Sequence, residues 1–243
     1  DHGGRMPGSL LAASRKGASA LGRHGLATLL YGTLLPGPDV GLRCGDILRG
    51  VRDAGFDTGV RGWDSAAWQR RAVSASPAWT ARYMQRAVTR YEKIFGESPK
   101  THAAAGWQMN PHALRLTQRL GFGYASDTRG THPFVPVWNA EVVLCPQLPT
   151  TLPTLDELLG RDGCSVSTVH EHMLALTAQS PPTGHVFTAQ ADLEGQMLLP
   201  VFEKLLEGWK EQGYELVSLG GLLDAIDASR LPRHELVHGT IEG

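Results

Sequence analysis

An α/β fold built on a parallel sheet or barrel is what this sequence predicts, and two observations carry the prediction. The first is a local grammar used three times. The stretches "RDAGFDTGV" at 52–60, "QRLGFGYAS" at 118–126 and "KEQGYELVSL" at 210–219 each end a helix-like run on glycine, place an aromatic next, and continue as a short β-like run. Gly55, Gly121 and Gly213 suit the left-handed position just past a helix C-terminus, and the aromatic then packs beneath the following strand. The second observation is the alternation of helix and strand patterns through most of the chain, the order that a parallel sheet or barrel needs.

The elements follow in order. From Pro77 to Phe95 the apolar residues Trp79, Tyr83, Met84, Ala87, Val88, Tyr91, Ile94 and Phe95 recur at three- and four-residue spacing, one stripe of an amphipathic helix docked on a sheet. Asn110 and Pro111 form an N-cap and N1 pair that opens a helix through Leu114, Leu116 and Leu120. Val201, Phe202, Leu205, Leu206 and Trp209 mark another helix before Gly213. Candidate strands fall at 101–105, 122–126, 141–145, 185–190 and 215–218, with a further short run ending at 56–60. The tail at 231–243 reads as an extended ending.

With 243 residues, 42% of them hydrophobic, the chain can bury a substantial core as a single domain, 1–243. A net charge of -1 gives no basic field for nucleic acid and no acidic tail, which leaves small molecules, lipids or proteins as partners. Cys44, Cys145 and Cys164 are odd in number, widely spaced and without a CxxC pair; reduced thiols fit better than a disulfide framework or a structural zinc site. No run of eighteen apolar residues is present to span a membrane as a helix. The segment 1–40 differs from the rest: it mixes Leu and Ala with Arg15, Lys16, Arg23 and His24. It reads either as a helical segment lying on an anionic membrane surface or as a solvated helix packed on the domain.

Ligands of such folds collect where the strands end, on their C-terminal side. The run 101–105 is followed by Trp107 and Gln108, 122–126 by Asp127, Arg129 and His132, and 185–190 by Asp192 and Glu194. After 56–60 comes "GVRGWDSAAWQ", a turn dense in tryptophan. Each has a plain structural alternative: Asp127 and Arg129 as an ion pair or loop cap, Trp68 and Trp107 as core cover. His170 and His172, two apart on a helix, face different directions and make a poor metal pair.

Four stretches, "AAAGWQMN", "YASDTRGTHPFVPV", "CPQLPTTLPTLDELLGRDG" and "VFTAQADLEG", in this order and at these spacings, resemble the polysaccharide deacetylase superfamily. The resemblance is strongest to its branch of 4-deoxy-4-formamido-L-arabinose-phosphoundecaprenol deformylases and runs from near residue 1 to near residue 240. It implies a distorted (β/α) barrel and a hydrolase of N-formyl or N-acetyl sugars that uses Zn, Co or Mn. It implies a lipid-linked amino sugar as partner, and a peripheral place on the cytoplasmic face of the bacterial inner membrane, where the basic segment 1–40 would meet the membrane surface. In that family a metal held by one Asp and two His polarises the carbonyl and activates water, a second Asp takes the proton, and a further His protonates the leaving amine.

The resemblance also implies that this chain departs from the family at the chemistry. Both carboxylates belong to an Asp-x-Asp strand opening the family's domain, and the sequence is expected to begin beyond that strand. The two metal histidines correspond to Arg61 and Ser65, and the acid histidine to Gln190. A guanidinium has no lone pair for a metal and repels a cation; Ser is a weak neutral ligand, and Gln transfers no proton near neutral pH. The expectation is a chain without a metal or intact catalytic residues that keeps a substrate-contacting shell of Asp64, Trp68, Trp107, Asp127, Arg129 and Glu194, with Arg129 a phosphate contact. Two alternatives stand beside it: an active hydrolase whose site has been rebuilt from His132, Asp127 or Asp192, and a noncatalytic sugar-lipid binding module.

Overall fold

The protein is described by a computed structural model over residues 39–161, 163–237 and 239. It divides into two units, Asp1–Gly45 and Asp46–Gly243. In the first, the helix α1 (Val40–Arg43) is capped by Asp39, whose side chain accepts from the Leu42 amide. Nearly all of the basic segment at 1–40 lies outside the described residues.

In the second unit the helices are α2 (Gly45–Asp53), α3 (Ser65–Arg71), α4 (Pro77–Phe95), α5 (Pro111–Arg119), α6 (Leu155–Leu158), α7 (Val169–Leu176), α8 (Leu199–Glu211) and α9 (Leu219–Asp224). The strands are β1 (Thr101–His102), β2 (Tyr124–Ala125), β3 (Val135–Trp138), β4 (Glu141–Val142) and β5 (Arg233–Glu235). The cap chemistry explains why α4 and α5 start where the sequence predicts. Ser76 accepts from the Trp79 amide with Pro77 in the first turn, and Asn110 accepts from the Ala113 amide with Pro111 next. Gly55, Gly121 and Gly213 all take left-handed φ values, 89, 78 and 87°.

The parallel contacts run in chain order. Val60 bridges His102, β1 pairs with β2 through Thr101↔Tyr124 and His102↔Ala125, and Ala125 bridges Gln147. The Thr151 and Leu152 amides then donate to the Val186 carbonyl. This is the neighbour order of a (β/α) barrel wall, written in ladders of one or two residues; the described residues form a two-stranded and a three-stranded sheet and no closed ring.

The structure revises several strand expectations. Residues 185–190 and 215–218 are outside any named strand, and 141–145 contributes β4, paired antiparallel to β3 through Val137↔Val142. The hairpin turn between them, Asn139 and Ala140, has φ of 49 and 62°. In the expected tail, Arg233–Glu235 runs parallel to β3 with His234 opposite Pro136, because β3 offers it a free edge.

Two apolar clusters hold the unit together. One packs Trp68, Tyr83, Met84, Val88 and Tyr91 against Val60, Leu114, Phe122 and Cys145. The other joins Leu152, Leu155, Val169, Met173, Leu198, Leu205 and Trp209. Cys145 is fully buried, and burial pushes its thiol up to about 12. Cys164 is buried too, and all three cysteines are free.

Candidate functional site

The turn after β1 places a tryptophan by means of unusual backbone. Gly106 has φ 65° and Trp107 φ 52°, a left-handed conformation that L-residues rarely adopt. A Cβ at position 106 would stand 2.7 Å from the Gln69 amide nitrogen, so a larger residue would meet the strained φ and would also have to push the Gln69 side chain aside. The Trp107 indole N–H donates to Thr150 Oγ1 at 3.0 Å, and that oxygen lies 2.8 Å from Thr188 Oγ1.

Over the same indole sits Arg129, its guanidinium carbon 4.4 Å from the ring centre. Its Nη2 donates to Glu157 Oε2 at 2.9 Å. Glu157 also accepts from the Thr154 amide at 2.9 Å, closing the capping box of α6 and fixing the carboxylate that holds the arginine. Arg129 Nη1 is buried and makes no hydrogen bond among the described residues.

One residue before Glu157, the Asp156 carboxylate accepts from the Gln190 side-chain amide at 2.8 Å. The Gln190 backbone N–H donates to Glu194 Oε2 at 2.7 Å. Glu194 is 1% exposed, its Oε1 has no partner among the described residues, and burial raises its pKa against the opposing pull of backbone N–H donors. Trp107, Arg129, Gln190 and Glu194 are thus joined through α6 into one continuous polar network.

Arg61 borders a cleft of about 380 Å3 lined also by Asp57, Thr101, His102, Tyr124, Ser126 and Ser218. Behind it lies a buried triad. His102 Nδ1 is 2.7 Å from Asp127 Oδ1, and the Asp127 amide donates to Gln147 Oε1 at 2.9 Å. The Gln147 side-chain N–H in turn reaches Asp127 Oδ2 at 3.3 Å. None of the three side chains is more than 3% exposed. Asp127 therefore lies against His102, and Arg129 pairs with Glu157; the alternative of an ion pair between Asp127 and Arg129 gives way to two separate contacts, because these two residues after β2 face different neighbours.

The turn "GVRGWDSAAWQ" is built chiefly for structure. Asp64 caps α3, accepting from the Ala67 amide at 2.9 Å, and its backbone N–H and carbonyl both engage the Tyr83 hydroxyl. Trp68 is 2% exposed, stacked near Trp79 and Tyr83, with its N–H donated to the Gln108 carbonyl. The ring of Trp68 is thereby part of the core. Trp63 lies under Arg86 and Arg90. Ser65 is the exposed first residue of α3, and Arg61 is exposed at the cleft.

A divalent metal does not fit the two positions where the resemblance expects histidine ligands, since Arg61 is a cation without a lone pair and Ser65 a neutral hydroxyl; Gln190, at the position expected for the acid, has its amide committed to Asp156. Nor does the structure gather the alternative ligands. Asp127 is engaged by His102, His132 lies against His234, and Asp192 is exposed. Among the described residues no group of three His, Cys, Asp or Glu side chains can hold a metal ion. Sequence reasoning missed His102, Gln147, Thr150, Asp156, Glu157 and Thr188. Only "TLDE" at 154–157 carried a readable signal, the capping-box signature.

No family model matches the chain. It is 32% identical over 237 residues to a protein of Shewanella sediminis named as a 4-deoxy-4-formamido-L-arabinose-phosphoundecaprenol deformylase, covering 98% of this chain and 75% of that one. Its fold is similar to that of a polysaccharide deacetylase from Mycobacterium smegmatis, with TM-score 0.61 and 16% identity over 96% of this chain and 88% of that one. A polysaccharide deacetylase from Pseudomonas aeruginosa PAO1 gives 0.58 and 16% over 76% and 63%. Aligned over 98% of its length at 32% identity with that deformylase, and folded like these two deacetylases, the chain belongs to the 4-deoxy-4-formamido-L-arabinose-phosphoundecaprenol deformylase family.

Proposed function

We propose that this chain binds a lipid-linked amino sugar of the kind named for its relatives and does not hydrolyse it. The observation that carries this reading is Arg61, a permanent cation bordering the cleft at a position where the family's pattern calls for a metal ligand. Gln190 supports it, since an amide tied to a carboxylate cannot take the role of a general acid. The binding half rests on Arg129. Its guanidinium is oriented by Trp107 and Glu157, and Nη1, buried without a hydrogen-bond partner among the described residues, would meet a phosphate or sugar oxygen once the side chains covering it move aside. Such a substrate would be met at the inner membrane, on its cytoplasmic face.

The test uses vesicles that carry undecaprenyl-phosphate 4-formamido-arabinose, with Zn, Co or Mn supplied. The expected result is vesicle binding that depends on the sugar, weakened roughly tenfold or more by Arg129→Ala, with no formate released above background. Formate release by the parent chain would overturn the noncatalytic half, and equal binding to vesicles lacking the sugar would overturn the other.

A further inference from the structure

His132 and His234 are 102 positions apart in the chain, yet their Nε2 atoms lie 2.8 Å from one another. The geometry points to a two-histidine clamp here for a divalent transition metal of the imidazole-binding class, Zn2+ or Cu2+, at a place separate from the residues that match the family's metal ligands.

Three features support the clamp. First, the two rings present the same atom to the same point: their centroids are 4.9 Å apart at 72°, an edge-on meeting rather than a stack. A metal with bonds of about 2.0–2.1 Å to each nitrogen at a tetrahedral angle needs the nitrogens about 3.3 Å apart, so the rings open by about half an ångström and tilt until both lone pairs converge on the ion. Second, His132 already has the outer partner that metal-binding imidazoles use. Its Nδ1 is 2.9 Å from Thr131 Oγ1, a hydroxyl that can accept an Nδ1 proton and so support the tautomer whose Nε2 lone pair faces His234.

Third, the clamp rests on paired backbone. His234 lies in β5 opposite Pro136, and its ring lies 5.5 Å from that of Phe134. Phe134 itself exchanges backbone hydrogen bonds with Gln147 in both directions. Without a metal, one Nε2 must carry a proton for the other to accept; when a metal enters, that proton shifts to Nδ1 of the same ring and both lone pairs point at the ion. His234 is exposed and His132 half-buried, so water completes the coordination. Imidazole pairs of this kind suit zinc and copper better than magnesium or calcium.

Calorimetric titration of the full chain with Zn2+ is the test, alongside His132→Ala and His234→Ala. The expected result is a site whose affinity falls at least tenfold in each variant, and Cu2+ spin-resonance spectra in which coupling to two imidazole nitrogens in the parent drops to one. Variants that titrate like the parent, or a parent that takes up no Zn2+ at millimolar concentration, would overturn the clamp. Should either alanine variant fold poorly, Thr131→Ala keeps both ligands and is expected to weaken Zn2+ severalfold; no change there would count against the clamp. Formate release measured on the same samples separates this site from the reading above. Release that survives His234→Ala while the calorimetric site disappears would overturn the noncatalytic reading and leave the clamp standing.

Discussion

The guanidinium of Arg129 lies 4.4 Å from the centre of the Trp107 ring, and the tryptophan beneath it holds a left-handed backbone. Such a conformation is unfavourable for an L-residue by about 1–2 kcal/mol, so the surrounding contacts, including the indole N–H to Thr150, must hold it in place. What it achieves is a flat apolar support under the cation that Glu157 orients from the side.

Trp107→Gly and Trp107→Ala both remove the ring, but only glycine accepts the backbone without strain. The glycine variant is expected to be the more stable of the two by about 1 kcal/mol, read from urea denaturation. The reverse order would mean that residue 107 is not left-handed in solution.

The buried triad gives a larger effect. Asp127→Ala leaves both His102 and Gln147 without a side-chain partner, and a buried polar group left unsatisfied costs about 1–3 kcal/mol. Asp127→Asn keeps the shape and one acceptor oxygen, so it should cost less. Denaturation midpoints of the two variants, compared at fixed pH, check the order.

Glu194 imposes a pH dependence whose sign can be worked out. Burial raises its folded pKa above the ordinary value of 4.5, so the folded state holds this proton more tightly than the unfolded one. The stability tied to the protonated carboxyl is complete below pH 4.5 and is lost as pH rises through the raised folded pKa. Glu194→Gln, which cannot ionise, is expected to lose less stability than the parent between pH 4.5 and 7. Parallel stability curves for the two proteins would contradict this.

Asp64 separates a cap from a ligand contact. Its carboxylate accepts from the Ala67 amide at the start of α3, so Asp64→Ala should cost about 1 kcal/mol and leave sugar-lipid binding unchanged. A loss of binding larger than the loss of folded protein would instead make Asp64 a substrate contact.

Much of the helical fold was legible because its determinants are local. Pro77–Phe95 runs over the residues its apolar stripe marks, bounded by Ser76 and Gly96, and Asn110 caps α5 as its pairing with Pro111 foretells. The strands were less legible, since ladders such as Thr101–His102 are two residues long and owe their pairing to neighbours far along the chain. Within the site, Trp107, Arg129, Gln190 and Glu194 were readable from their places in motifs. Of the groups that orient them, "TLDE" could be read as a capping box, but the pairing of Glu157 with Arg129 and of Asp156 with Gln190 could not, because a side chain's partner across 28 or 34 positions leaves no periodic trace. For Trp68 the sequence left both core cover and ligand contact open, because a polar turn does not show that the ring packs against Trp79 and Tyr83.

The burial of Cys145 turns the protein's opening into something a chemist can time. Its thiol is fully covered and pushed up to about 12, so neither access nor thiolate is available to an alkylating reagent in the closed fold. Covalent capture at this position must wait for the core around Leu114 and Phe122 to part. Its rate, followed by mass spectrometry across reagent concentrations, would serve as a clock for that parting and needs no added probe.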